Sequence, residues 1–300
     1  MELRPPPGAR ACLELVEGIR KNLSSVAADW VSAGTRAKGL PHGHSEEWLV
    51  GPVPLARYLR LTSETLARVE AGRPVLPVDR ITTSADGRTR VRVLPNDARD
   101  GLLFRDFSAD VYLKAETDPD AVLDRAASAH RRGRSEGACL VLGAGNVSSI
   151  PAIDVLSKVF GEGRPVILKP SPVNDWVVPY LERALAPLIE DRHLAIVRGG
   201  ADVGADLMAS DAVEAVHLTG SIHTHDRIVW GEDVDAGKAG GRPVLNKPIP
   251  SELGNISPIV VAPGTYGAAE LEFLASSLAA SVTNNVGFNC NATRLIVVAA

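Results

Sequence analysis

The sequence predicts an α/β protein organised around an open parallel sheet with flanking helices, and three observations predict it. After Gly137, short apolar runs recur, namely ACLVLGAG, RPVILKP, LAIVRGG, AVEAVHLTG and PIVVAP, each ended by Gly or Pro. Segments with helical character, 151–160, 176–190 and 202–209, lie between some of them. The chain is also 45% apolar over 300 residues, enough to bury a sizeable core in one or two domains. Strands that alternate with helices pair in parallel through right-handed crossovers. Their C-terminal ends then share one edge, where ligands bind.

The elements before Gly137 are of a different kind. Leu13, Val16, Ile19 and Leu23, then Leu55, Leu59, Leu66 and Val69, recur at helical spacing and predict helices over 11–35 and 54–72. PHGHSEEW between them reads as a loop. Arg80 to Leu94 alternates about Asp86-Gly87, a dipeptide suited to the positive φ of a tight turn, and predicts a β-hairpin. LLFRDFSADVYLK, 102–114, is expected to add a strand or two, and Ala121 to Arg132 a short helix.

Composition removes several function classes. The net charge is −4 with both signs interspersed, so neither nucleic acid nor an anionic membrane surface is expected as partner, and the ligand is expected to be small. Cys12, Cys139 and Cys290 are too scattered for a disulfide framework or a paired metal motif, and a reducing cytoplasm is the simplest setting. MELRPPPGAR has no apolar signal core, and no run reaches the ~18 apolar residues of a membrane span. His42 with His44 and His223 with His225 lack further ligands at suitable spacing, so no metal is expected.

The stretch most suited to chemistry is NNVGFNCNATR, Asn284 to Arg294. Cys290 follows a glycine and several amide side chains in a polar loop, between an apolar helix and the apolar run LIVV. A thiol is only a few per cent ionised near neutrality yet strongly nucleophilic, and a polar, partly exposed loop is where a protein uses one. No histidine follows position 225, which counts against a Cys–His hydrolase. LGAGNVSS, Leu142 to Ser149, has Gly143 and Gly145 but serine at 148, and so is not a standard dinucleotide fingerprint.

The Asn, Gly and Cys of NNVGFNC resemble the nucleophile loop of the aldehyde dehydrogenase superfamily, and further landmarks of that family precede it in order. Asn146, ahead of Pro151, is similar to the family's asparagine at a strand end. VILKPSP resembles its strand ending in Lys-Pro-Ser, with Lys169 and Ser171. HLTGS, with Gly220 and Ser221, resembles its Phe-Thr-Gly-Ser turn, and PIPSELGNISPIVV its Glu-Leu-Gly segment, with Glu252. Departures are Pro172, where many NAD-preferring members carry glutamate, His225 where a small residue is usual, and Asn255-Ile256 where glycine and lysine are common.

The resemblance covers roughly residues 140–300 and implies an NAD(P)-binding domain over 1–250, with helices and hairpin at its start. It also implies the beginning of a second α/β catalytic domain over 251–300, cut short because family members are longer. It implies oxidation of an aldehyde to an acid with NAD or NADP. In that scheme Cys290 is the nucleophile, the Asn146 amide and the Cys290 backbone N–H steady the oxyanion, and Glu252, among apolar and small neighbours, is the general base. Lys169, Ser171, Gly220 and Ser221 hold the cofactor. With Pro172 in place of a carboxylate, NADP is admitted. An acylating relative that delivers the acyl group to coenzyme A, or a dinucleotide-binding remnant without turnover, stays open. Homo-oligomers are expected of full-length relatives, and exposed apolar surface is expected where the remaining catalytic domain would pack.

Overall fold

The computed structural model describes residues 2–115, 117–125, 130, 135 and 137–298. Helix α1 (Ala9–Ala37) buries Cys12, Val16, Ile19, Val26 and Trp30 along one stripe, as the apolar spacing requires. It packs against α3 (Pro52–Glu70), which buries Leu55, Leu59 and Leu66, and proline at its first position suits a helix start. The loop expected over 41–48 is only half a loop, because Glu46–Val50 forms a short helix, α2. Glu47 within it is 1% exposed. A buried carboxylate is tolerated only with polar partners, which are described below.

The hairpin forms as expected. Strands β1 (Ile81–Thr83) and β2 (Thr89–Leu94) pair antiparallel about a turn in which Gly87 takes φ 81°. Residues 102–114 depart from expectation. Leu102 and Leu103 close a helix, α4 (Ala98–Leu103), which Asp97 caps through the Asp100 N–H, and only Ala109–Tyr112 becomes a strand, β3, beside β2. The cap outcompetes the strand pattern because Asp97 satisfies a helix-end donor that a strand here would leave open. Helix α5 covers Pro119–Arg125, and the rest of the helix expected over 121–132 lies outside the described residues, save for His130.

The five-stranded parallel sheet follows. Strands β4 (Ala138–Leu142), β5 (Val166–Lys169), β6 (Leu194–Ile196), β7 (Val213–Gly220) and β8 (Ser251–Leu253) lie in the order β6-β5-β4-β7-β8. Between them run α6 (Ile150–Leu156), α7 (Val178–Ala184), α8 (Ala186–Glu190), α9 (Ala201–Ala209), α10 (Ile222–Trp230) and α11 (Val234–Gly240). The main core joins α1 and α3 to β4, α6, β5, α7, α8 and β6, including Trp30, Leu156, Leu168, Leu181 and Leu188, none more than 2% exposed. Each such side chain contributes roughly 1.5–3 kcal/mol of burial free energy.

PIVVAP does not extend this sheet. Strand β9 (Pro258–Val261) pairs in parallel with β10 (Leu295–Val298), and α12 (Ala268–Thr283) lies between them in sequence. Ser251–Leu253 thus joins the five-stranded parallel sheet, and the two-stranded sheet begins at Pro258. Leu295, Ile296, Val297, Val298 and Val260 are exposed, as is Phe273 on α12.

Candidate active site

The C-terminal ends of β4, β5 and β7 open onto a cleft of ≈ 1130 Å³. Lys169, Ser171, Gly220 and Ser221, the four residues assigned to a cofactor from sequence, all line it. Lys169 ends β5 and is 7% exposed. Its stem packs on α9 at Gly204, where an added Cβ would stand 3.5 Å from the lysine Cδ. Burial pushes the Lys169 ammonium below the usual lysine range, and nearby Asp175 and Asp202 only partly offset this. Its recorded hydrogen bond is to the Pro170 carbonyl at 3.4 Å, leaving donor capacity for an anionic ligand.

Ser171 faces Gly145 so closely that a Cβ there would lie 2.9 Å from its hydroxyl oxygen and would displace that hydroxyl. Gly143 is likewise tight against Pro151. Both glycines therefore serve packing at the cleft wall, in agreement with the absent fingerprint. Ser221 caps α10 by accepting the Thr224 N–H at 3.1 Å, which fixes a helix start, with its unpaired N–H groups, at the cleft. His225, the departure within that helix, pairs its Nδ1 with Asp226 at 3.1 Å. An enclosed ammonium, a hydroxyl and a helix N-terminus around a cleft of this size fit a dinucleotide, a polyanion with two nucleosides.

The Cys290 loop is fastened beside this cleft. Asn146, next to the cleft residue Gly145, donates its amide to the Phe288 carbonyl at 2.8 Å, and its own carbonyl accepts Asn285 Nδ2 at 3.0 Å. Asn285, Val286 and Gly287 all take left-handed φ, 54°, 55° and 73°. For β-branched Val286 that conformation costs about 1–3 kcal/mol and persists only where the surroundings enforce it. Cys290 is half-buried, whereas Cys12 and Cys139 are buried. Asn146 and the Cys290 loop are thus joined by two hydrogen bonds.

Glu252 is not enclosed as expected. It is exposed on β8, an edge strand, opposite Thr219 of β7. Among the hydrogen bonds of the described residues, none joins it to Asn146 or to the Cys290 loop. The physical reason is position: β7 covers only one side of β8.

Sequence reasoning missed the polar residues that hold the loop. Glu46 accepts the Asn285 N–H and, at 2.6 Å, Asn284 Nδ2. Lys38 donates to Glu47 and, at 2.7 Å, to Asn285 Oδ1. Glu47 is further satisfied by the Ser148 hydroxyl, which in turn accepts Trp30 Nε1 at 3.1 Å. The acidic pair in PHGHSEEW was the visible signal, but nothing in the spacing connects positions 46 and 285. Asp202 also lines the cleft, and Arg227 there is paired with Glu232.

Comparison with known proteins accords with this geometry. The Aldehyde dehydrogenase family matches residues 117–300. A betaine aldehyde dehydrogenase 2 of Rhizobium meliloti (strain 1021) is 31% identical over 167 residues, 54% of this chain and 31% of that protein. A putative aldehyde dehydrogenase from Burkholderia cenocepacia is similar in structure, with TM-score 0.59 and 16% identity, over 97% of this chain and 48% of that one. Lactaldehyde dehydrogenase from Escherichia coli gives 0.59 and 14%, with the same coverage. A succinic semialdehyde dehydrogenase from Streptococcus pyogenes, in complex with NADP+, gives 0.52 and 14%, over 95% and 50%. The chain spans about a third of the length of the matched relative and about half that of the similar structures. With the family matched over more than half of its length, and the cleft and cysteine loop in place, this chain belongs to the aldehyde dehydrogenase family.

Proposed function

We infer that this chain carries the cofactor cleft and nucleophile of an NAD(P)-dependent enzyme that oxidises an aldehyde to a carboxylic acid. The observation that carries the reading is the hydrogen bond from Asn146 to Phe288, which joins the candidate oxyanion donor to the nucleophile loop at the side of the Lys169 cleft.

In this reading the Cys290 thiolate adds to the aldehyde carbon, forming a C–S bond and an oxyanion. Asn146 has one amide hydrogen committed to Phe288 and a second for that oxyanion. Lys169, Ser171, Gly220 and Ser221 hold the dinucleotide, which when bound supplies the two-electron acceptor for the aldehyde carbon. The acyl group then sits on Cys290 as a thioester. Glu252 takes a proton from the water that cleaves it, releasing the acid and restoring the thiol. Glu252 has no hydrogen bond to the Cys290 loop among the described residues, and release of the acyl group to coenzyme A, which needs no water-activating carboxylate, is the second reading.

The test is reduced-dinucleotide formation from NAD+ or NADP+ with a panel of aldehydes, betaine aldehyde among them, with and without coenzyme A. Turnover that Cys290→Ala abolishes is expected. Turnover that survives Cys290→Ala refutes the mechanism, and dependence on coenzyme A selects the acylating reading.

A further inference from the structure

The amides around Cys290 form a directed relay. Lys38 donates to Asn285 Oδ1 at 2.7 Å, Asn285 Nδ2 donates to Asn289 Oδ1 at 2.9 Å, Asn289 Nδ2 to Asn284 Oδ1 at 2.7 Å, and Asn284 Nδ2 to Glu46 at 2.6 Å. An amide can face either way, but an ammonium only donates and a carboxylate only accepts. The charged ends therefore set the orientation of all three asparagines, and each bond polarises the next. Asn289 adjoins Cys290 directly, and Asn285 is fully buried.

Both ends of the relay come from the N-terminal helices, outside the 117–300 segment that the family matches. Lys38 is the C-cap residue of α1 and Glu46 begins α2, while Glu47 fixes Lys38 from a pocket that exists because position 34 is glycine: a Cβ there would lie 2.5 Å from Glu47 Cδ. The left-handed turn at Asn285–Gly287 is the part of the loop that would relax without such clamps.

We propose that Lys38 and Glu46 are positioning residues, which act through the Asn285–Asn289–Asn284 relay to hold the turn before Cys290 and so set the reactivity of its thiol. This rests on Cys290 being the nucleophile of the proposed function. Its test is nevertheless independent of turnover, since Cys290 is the half-buried thiol and the other two are buried.

Alkylation of Cys290 by iodoacetamide is followed in the full chain, without aldehyde or dinucleotide, across the thiol titration range of about pH 6 to 10. Glu46→Ala and Lys38→Met are each expected to change the rate constant by about fivefold or more and to move its pH midpoint, because reactive geometry is sensitive to small displacements. Glu46→Gln, which keeps an acceptor oxygen, is expected to retain most of the wild-type profile. Asn284→Ala breaks the relay without stranding a buried charge, and carries the same expectation should Glu46→Ala fail to fold. Wild-type rates and midpoints in the folded variants, even with lowered urea stability, overturn the proposal. A wild-type chain without aldehyde turnover whose thiol still responds to these variants supports the relay and fails the functional reading.

Discussion

Asn146 Nδ2 lies 2.8 Å from the carbonyl oxygen of Phe288, tying the loop that follows β4 to the residue two places before the candidate nucleophile. Asn146→Ala removes both this tether and the second amide hydrogen. With aldehyde and dinucleotide saturating, kcat is expected to fall by about 10²–10³. Steady-state kinetics checks this, and an unchanged kcat would remove Asn146 from the oxyanion site.

Lys169→Met is expected to raise the Kd of NAD+ or NADP+ by about tenfold or more, the equivalent of about 1.4 kcal/mol. Titration calorimetry reads this directly. The pH dependence has a definite sign. Burial holds the folded-state pKa of Lys169 below its ordinary 10.5, so between the two values the unfolded chain binds more protons. The stability of the free chain relative to Lys169→Met should therefore rise with pH through that window, while dinucleotide affinity falls. Urea melts of both proteins on the alkaline side check the first half of the statement.

Asp100, with its side chain fully buried, is held by Arg57 at 2.7 Å and Arg60 at 3.1 Å. Burial alone would raise its pKa, but the Arg57 bond and the Asn96 N–H outweigh this and keep it below the ordinary value. Its stabilising effect is thus complete above about 3.8, the unfolded value, and is lost as pH falls through the folded value. Asp100→Asn is expected to cost about 3 kcal/mol at neutral pH, the lower end for a buried pair because Arg57 stays partly exposed. The difference from wild type should shrink on acidification, as urea midpoints at neutral and acid pH would record.

Thiol chemistry separates the three cysteines. Burial pushes the Cys139 thiol up to about 11, and Cys12 is fully buried. Mass spectrometry after brief iodoacetamide treatment at mildly alkaline pH is expected to find the label on Cys290 in the native chain and on all three in urea. Native labelling of Cys139 ahead of Cys290 would contradict the burial pattern.

Periodicity made most of the framework legible. The apolar spacing at Leu13, Val16, Ile19 and Leu23 gave α1, Asp86-Gly87 gave the hairpin, and the runs ended by Gly or Pro became strands. Local signals failed at Glu46–Val50 and Ala98–Leu103, where capping and burial of single acidic residues decided the structure.

By itself, the sequence determined the parallel sheet, the strand-end position of Lys169 and the loop context of Cys290, because periodicity, turn residues and short motifs are local. Only the tertiary structure decided that Glu252 stays exposed on an edge strand, that PIVVAP pairs with LIVV, and that Lys38 and Glu46 grip the amides before Cys290. Those outcomes depend on which distant groups can satisfy one another's charge and hydrogen bonds. That complementarity exists between surfaces brought together by folding, and no spacing along the chain encodes it.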